Sequence, residues 1–319
     1  MNKKYIQKNY INLCSPVIGT KIYEYSDQFF GLASRLLKDE PPVFKDGVYD
    51  KNGKWMDGWE TRRKRNKGHD YLILKLGRPG KIHKVDIDTS YFNGNQPNKV
   101  SLDACYSKNK LPGKNSRWIN ILKKSTTKPN SHHFFNIKNK SIFTHVKLNI
   151  YPDGGVARIR IYGEMKINKK FGKKITNLTS VLSGATPIAC NNEHFGRAEN
   201  VLAPGAGKNM GDGWETRRSR GKNFDWLILK CATAGKINKI QIDTHHFKGN
   251  YPDKCSVQAA YLNNQNSPKS IVNKSKNWKL LLGKVKLHAH KKHNFNNKLM
   301  KNKNYSSLAR SVLILTLCS

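Results

Sequence analysis

The heptad Asp-Gly-Trp-Glu-Thr-Arg-Arg occurs twice in this 319-residue chain, at 57–63 and at 212–218. Each copy places two acids, two arginines and an indole beside a glycine, just before a run that reads as a strand starting near Tyr71 or Trp226. Loops at strand ends are where polar chemistry is usually carried. The planar fork of arginine matches a carboxylate, so Arg62, Arg63, Arg217 and Arg218 are candidates for holding an anionic substrate. Glu60 and Glu215 beside them are candidates for polarising water, moving a proton or holding a cation. A purely structural account competes with this one: the arginines pair with Asp57 and Glu60, or with Asp212 and Glu215, while the indole fills the core. Seven identical residues in two copies that otherwise diverge favour chemistry over packing.

Two further constellations accompany the heptads. IDTSYFNGNQP at 87–97 and IDTHHFKGNYP at 242–252 each end a strand in Asp-Thr and follow an aromatic with a Gly-Asn turn. Asp88 and Asp243 are candidate acceptors, and His245 or His246 a candidate acid, base or metal ligand near neutral pH. Asn95 and Asn250, with Gly94 and Gly249, read more simply as turn formers through side-chain-to-backbone bonds than as substrate contacts. YPDGGVARIRIYG at 151–163 carries a strong turn signal before an alternating strand, with Asp153 and Arg158 as its chemical candidates or as a surface ion pair. The HAHKKH run at 288–293 adds candidate metal ligands in a lysine-rich stretch. No Walker loop, GxGxxG, HExxH or GxSxG elbow occurs, which removes phosphoryl transfer and serine hydrolysis.

The elements that must position these groups follow from an internal repeat. Residues 57–97 align without a gap to 212–252, and FFGLASRLL at 29–37 faces HFGRAENVL at 194–202, the first copy carrying a longer loop at 41–56. Trp118 matches Trp278 downstream. The reading is a basic N-terminal segment at 1–18, a first repeat at 19–164, a basic linker at 165–183 and a second repeat at 184–319. DYLILKL, DWLILKC, KIHKVDID, KINKIQID and THVKLNIYP read as short strands separated by Gly, Pro, Asn and Asp clusters. The only helical period lies around 27–37. These patterns predict an all-β chain of two tandem jelly-roll sandwiches.

Composition narrows the class. The formal charge of +38 taken alone suggests a polyanion partner, but the excess lies in mixed Lys/Asn stretches with no nucleic-acid module signature, so no nucleic-acid function is expected. The longest apolar runs, LILKL and VLILTL, fall far short of the roughly 20 residues that span a bilayer. No signal peptide is evident, and the expectation is a soluble cytoplasmic protein without membrane contact. Six cysteines without CxxC or metal-ligand spacing read as free thiols.

On the two DGWETRR heptads, IDTSYFNGN, IDTHHFKGN and LNIYPDGGVARIRIYG, the chain resembles the allantoicase family over almost its whole length, up to about residue 295. The resemblance implies a repeated jelly roll of the galactose-binding-like kind, homo-oligomers, and hydrolysis of allantoate to (S)-ureidoglycolate and urea in purine (ureide) catabolism. In that reaction Arg62, Arg63, Arg217 or Arg218 would fix the carboxylate, with Asn95, Asn250, Asp153 and Arg158 as further substrate contacts. Glu60, Glu215, Asp88, Asp243 and His246 would move protons or hold metal; a divalent metal such as Mn stays open as a cofactor. One departure stands out. Where the first copy ends in THVKLNIYPDGGVARIRIYG, the second runs NKLMKNKNYSSLARSVLILTLCS, so the last strands of its sandwich are expected to be missing or replaced, VLILTL being the candidate substitute. That departure keeps two alternatives in view, a catalytically inactive relative and a galactose-binding-like module for an anionic ligand.

Overall fold

The computed structural model describes residues 5–8, 10–167, 176–218, 224–262, 267–296 and 311–318. Residues 168–175, the core of the basic linker, lie outside the described residues. Two compact units emerge, one of Ile11–Asn168 and one of Met1–Tyr10 with Lys169–Ser319. Both are β-sheet structures of the jelly-roll kind. No helix among the described residues is long and apolar enough to cross a membrane.

In the unit of Ile11–Asn168 one strand, Asp70–Asp88, organises the rest. Its first half pairs antiparallel with Lys21–Tyr25 and Ile142–Tyr151, its second half with His132–Asn136 and Arg158–Met165. Lys99–Cys105 and then Ile119–Thr126 extend the sheet beyond Ile142–Tyr151. Sequence alternation predicts two strands here, DYLILKL and KIHKVDID, and the structure joins them. The GRPG linker stays extended because Gly77 lies against the chain: a Cβ there would stand 2.0 Å from the Ile18 carbonyl oxygen. Leu72, Leu74 and Ile82 are fully buried at even positions and Val85 and Ile87 at odd ones, the alternation changing phase at the irregularity opposite Tyr162 and Gly163.

The second unit forms a six-stranded sheet in the order Ile6–Gln7, Thr186–Cys190, Phe224–Lys230, Ser311–Cys318, Lys254–Tyr261, Lys279–Lys286. Here the strand does break after Lys230, and Lys239–Asp243 pairs with Lys292–Asn296 in a separate two-stranded ladder. The Lys/Asn-rich stretch before Trp278 contains the short helix Pro268–Lys274, started by Ser267, whose hydroxyl accepts from the Ser270 N–H, and by proline in the first turn.

The expected loss at the end of the second copy resolves strand by strand. Ser311–Cys318 lies between Phe224–Lys230 and Lys254–Tyr261, the slot that Ile142–Tyr151 occupies in the first unit. Even the register is kept, with Leu315 opposite Leu227 as Leu148 is opposite Leu72, and Leu313 opposite Leu229 as Val146 is opposite Leu74. VLILTL can do this because an apolar strand in the middle of a sheet needs little more than hydrophobicity and β-branching. The counterparts of Gly155–Val156 and Arg158–Met165 have no equivalent among the described residues.

Candidate active site

The first heptad opens on a buried ion pair. Asp57 accepts from Arg158 Nη2 and Lys38 Nζ, each at 2.6 Å, and from the Val43 N–H at 3.2 Å. Burial pushes the Asp57 carboxyl up, but the bonds from Lys38 and Arg158 outweigh it and hold the group below its ordinary range. Arg158, 1% exposed, also donates to the carbonyls of Asp57, Ala157, Glu40 and Pro41. Arg160 donates to those of Asp39 and Glu40. The arginines of the 151–163 segment therefore tie the 39–43 loop to the sheet. Arg158 is a buried clamp and does not pair with Asp153, which instead accepts the Lys64 N–H at 2.7 Å.

Glu60 sits between two backbone partners. Gly31 exchanges N–H···O bonds with it at 3.1 Å in both directions, and Gly155 pairs with it from Gly155–Val156 on the other side. Only glycine fits at 31, where a Cβ would lie 2.4 Å from the Gly58 carbonyl oxygen. Trp59 is fully buried, its indole N–H donating to the Asp27 carbonyl at 2.7 Å. The Glu60 carboxylate is buried and accepts from the Asn95 side-chain amide at 2.8 Å, while the Asn95 carbonyl takes the Gly155 N–H. Burial raises the Glu60 carboxyl above its ordinary range; the Asn95 bond opposes this and the charge of Asp50 adds to it. Asp50 belongs to a small hairpin, Tyr49–Asp50 with Gly53–Lys54, in the loop unique to the first copy. Phe44 of the same loop stacks on Tyr91 at 5.7 Å, bringing the loop to the turn that holds Asn95. A carboxyl that keeps its proton to higher pH beside an amide donor is suited to general acid catalysis.

The two arginines differ. Arg62 is committed to Asp27 through its backbone N–H at 2.7 Å, Nε at 3.3 Å and Nη2 at 3.1 Å, with its guanidinium 5.2 Å above the Phe29 ring. Arg63 is exposed and makes no hydrogen bond or ion pair among the described residues, leaving its fork open to an anion. The PDGG turn grips this stretch on both flanks: Thr61 N–H donates to the Gly154 carbonyl, Lys64 N–H to Asp153.

The second copy repeats the plan with weaker cover. Glu215 accepts from Asn250 at 2.6 Å, exchanges backbone bonds with Gly196, and follows Trp214, whose indole donates to the Asn192 carbonyl at 2.8 Å. Arg217 meets Asn192 through its N–H and His194 through its guanidinium at 3.3 Å, and Arg218 is exposed. Asp212 accepts the Lys208 N–H at 2.6 Å in place of an arginine. With no counterpart of Gly155–Val156 among the described residues, Glu215 is only half-buried and Asn250 is exposed.

The aspartates and histidines of the second constellation lie apart from the glutamates. Asp88, 2% exposed, accepts the Ser90 N–H at 2.8 Å and faces His132 Nε2 at 3.7 Å, in a buried ionic strip with Asp86. Asp243 accepts the His245 N–H at 2.9 Å. His246 faces the Gly207 carbonyl at 2.9 Å and donates its backbone N–H to His290 Nδ1. The rings of His245 and His290 stand 4.3 Å apart, yet among the described residues no three His, Cys, Asp or Glu side chains converge to hold a metal ion. What sequence reasoning missed is Asp27 and its counterpart Asn192, which orient both the indole and the first arginine. The signal was available: both stand at the same distance before Gly31 and Gly196 in the aligned repeat.

Comparison with known proteins gives the family. A family model described as the allantoicase repeat matches residues 11–166 and again 176–311. A probable allantoicase from Burkholderia mallei is 46% identical over 290 residues, covering 90% of this chain and 86% of that protein. One from Photobacterium profundum is 45% identical, covering 91% and 88%. The crystal structure of allantoicase from Saccharomyces cerevisiae superposes with a TM-score of 0.79 at 33% identity, covering 97% of this chain and 89% of that one. The chain, with its two matched repeats, belongs to the allantoicase family.

Proposed function

We propose that this protein is an allantoicase, hydrolysing allantoate to (S)-ureidoglycolate and urea, with its working site in the first repeat. The observation that carries the reading is the buried Glu60–Asn95 pair beside the open fork of Arg63. Allantoate carries one carboxylate and two ureido groups on a single carbon. Arg63 binds the carboxylate, positioned by Arg62 on Asp27 and by the PDGG turn. Glu60 gives its proton to the leaving ureido nitrogen as the C–N bond breaks and urea departs. A water oxygen bonds to the carbon and gives its proton to the Glu60 carboxylate, which restores the acid and completes the hydrolysis. Arg217, Arg218, Glu215 and Asn250 form the corresponding but more open set in the second repeat. Repeats at 19–164 and 184–319 joined by a linker at 165–183, a homo-oligomeric state and a cytoplasmic location belong to the same reading.

The test is urea release from allantoate by the purified chain, with and without added Mn²⁺ and after chelation. Turnover that collapses in Glu60→Gln and survives in Glu215→Gln supports the assignment. Turnover retained by Glu60→Gln removes Glu60 from the mechanism, and no urea from folded protein leaves an inactive relative.

A further inference from the structure

In the first unit the edge of Val85–Asp88 is occupied: Arg158 lies opposite Asp88, Ile159 opposite Ile87, Arg160 opposite Asp86 and Ile161 opposite Val85. Ile159 and Ile161 are fully buried there, as are Val85 and Ile87, so the strand both completes the ladder and seals the core. The repeat puts Asp243, Ile242, Gln241 and Ile240 at the matching positions of the second unit. Those residues pair on one side with Lys292–Asn296 and on the other with nothing among the described residues. Ile240 and Ile242 pack on the core cluster around Leu282, Leu287 and Phe295 yet remain only partly buried. The Asp243 side chain is 31% exposed where that of Asp88 is 2%. Among the described residues the nearby Trp214–Glu215 stretch likewise has no partner like the one Gly155–Val156 gives Trp59–Glu60. A sheet edge with open N–H and C=O groups over partly covered isoleucines is a template for another strand.

We infer that the Lys239–Asp243 edge of the second unit is a strand-accepting site for an extended segment supplied in trans, with the chemistry of Pro152–Gly163: a Gly-Gly turn followed by alternating arginine and isoleucine. Main-chain bonds along the edge supply affinity, and alternate side chains supply register. The isoleucines of the incoming strand cover Ile240 and Ile242, its first arginine stands opposite Asp243 and turns to Asp212, as Arg158 stands opposite Asp88 and pairs with Asp57, and its Gly-Gly turn lies along Trp214–Glu215. The retained Asp212, counterpart of the Asp57 that holds Arg158, argues for that occupant over a generic apolar strand, and register follows because a one-residue slip would set isoleucine opposite Asp243 and arginine opposite Ile242.

The test uses the full chain and a synthetic peptide of the sequence PDGGVARIRIYG, read by amide hydrogen exchange. Saturable slowing, by about tenfold or more, of the outward-facing amides of Lys239–Asp243 and of the Thr216 amide, whose counterpart Thr61 donates to the Gly154 carbonyl, is the expected result. A scrambled peptide of the same charge and one carrying Ile159→Asp and Ile161→Asp should both leave exchange unchanged, which separates strand addition from charge attraction and needs no variant of the protein to fold. Equal protection by the scrambled peptide, protection already present without peptide, or protection that appears only on raising the protein concentration would each overturn the proposal, the last by assigning the edge to a second copy of the chain.

Discussion

Replacing Arg158 by methionine tests how the first site is held together. The guanidinium is 1% exposed and makes five hydrogen bonds, two of them to Asp57. Methionine keeps most of the stem's volume, so the loss falls on the charge. Asp57 is left buried with Lys38 as its remaining ionic partner, the Pro41 carbonyl loses its bond from Arg158, and the Glu40 carbonyl keeps only the longer one from Arg160. Removing one partner of a buried pair costs about 3–5 kcal/mol, and in a domain of roughly 150 residues each kcal/mol lowers Tm by about 2–4 °C. The expected outcome is a drop on the order of 10 °C in the transition of the first unit, followed by calorimetry of the full chain. The second unit provides an internal reference, since among the described residues Asp212 has no such arginine. pH sharpens the prediction. The Asp57 carboxyl is held below its ordinary range, so its contribution is present above about pH 4, the unfolded value, and lost as pH falls through the lower folded value. Without Arg158 that acid loss should move to higher pH, and Asp57→Asn added to Arg158→Met should recover part of the stability by removing the stranded charge. A Tm lowered by less than about 3 °C with unchanged acid behaviour would refute the clamp.

Glu60→Gln should lower urea release by about 10²–10⁴-fold with unchanged thermal unfolding, the range of a lost general acid. Because the carboxyl is raised above its ordinary range and is proposed to act in its protonated form, kcat/KM should fall as pH rises through that higher value, and a pH profile without such a limb would sink the role. The same shift makes folding favour low pH at this group, with its share of stability lost as pH rises from the unfolded value through the folded one. Asp27→Ala should release Arg62, and steady-state kinetics should show KM raised several-fold, while Asp27→Asn, which copies Asn192, should retain the backbone bond and most of the affinity. Gly31→Ala should cost about 1–3 kcal/mol in denaturant unfolding, because its Cβ would stand 2.4 Å from the Gly58 oxygen on a backbone with little room to move.

Much of this was legible in the chain because the repeat supplies its own comparison. The heptads, the Asn that meets each Glu and the strands before and after them were all marked by identity between copies, and they stand in matching places. What stayed hidden depended on contacts across the sequence. The period around 27–37 became the 3-10 turn Ala33–Leu37, since Gly31 must press against Gly58 and Glu60 and leaves room for one tight turn only. Arg158 looked like a surface charge on an alternating strand. Its burial follows from the 39–43 loop, whose carbonyls gather over it from more than a hundred residues away, a pairing no local period reveals.

The same long-range logic explains why two nearly identical heptads have different surroundings. Gly154 and Gly155 reach the heptad of the first unit across the sheet: the Gly154 carbonyl takes Thr61, the Gly155 N–H takes Asn95, and a Cβ at 155 would collide with the Phe92 ring at 1.9 Å. That wedge buries Glu60 and shifts its carboxyl, while Glu215, with the same neighbours in sequence and the same amide partner, stays half-open. The acid strength of the heptad glutamate is therefore set by a segment about 95 residues downstream. Gly155→Ala should accordingly act on catalysis through Glu60: it should push Phe92 and the Asn95 turn apart, admit water, and move the alkaline limb of kcat/KM toward the ordinary carboxylate range. A Gly155→Ala enzyme that loses rate without moving that limb would show that burial by this segment does not tune the acid.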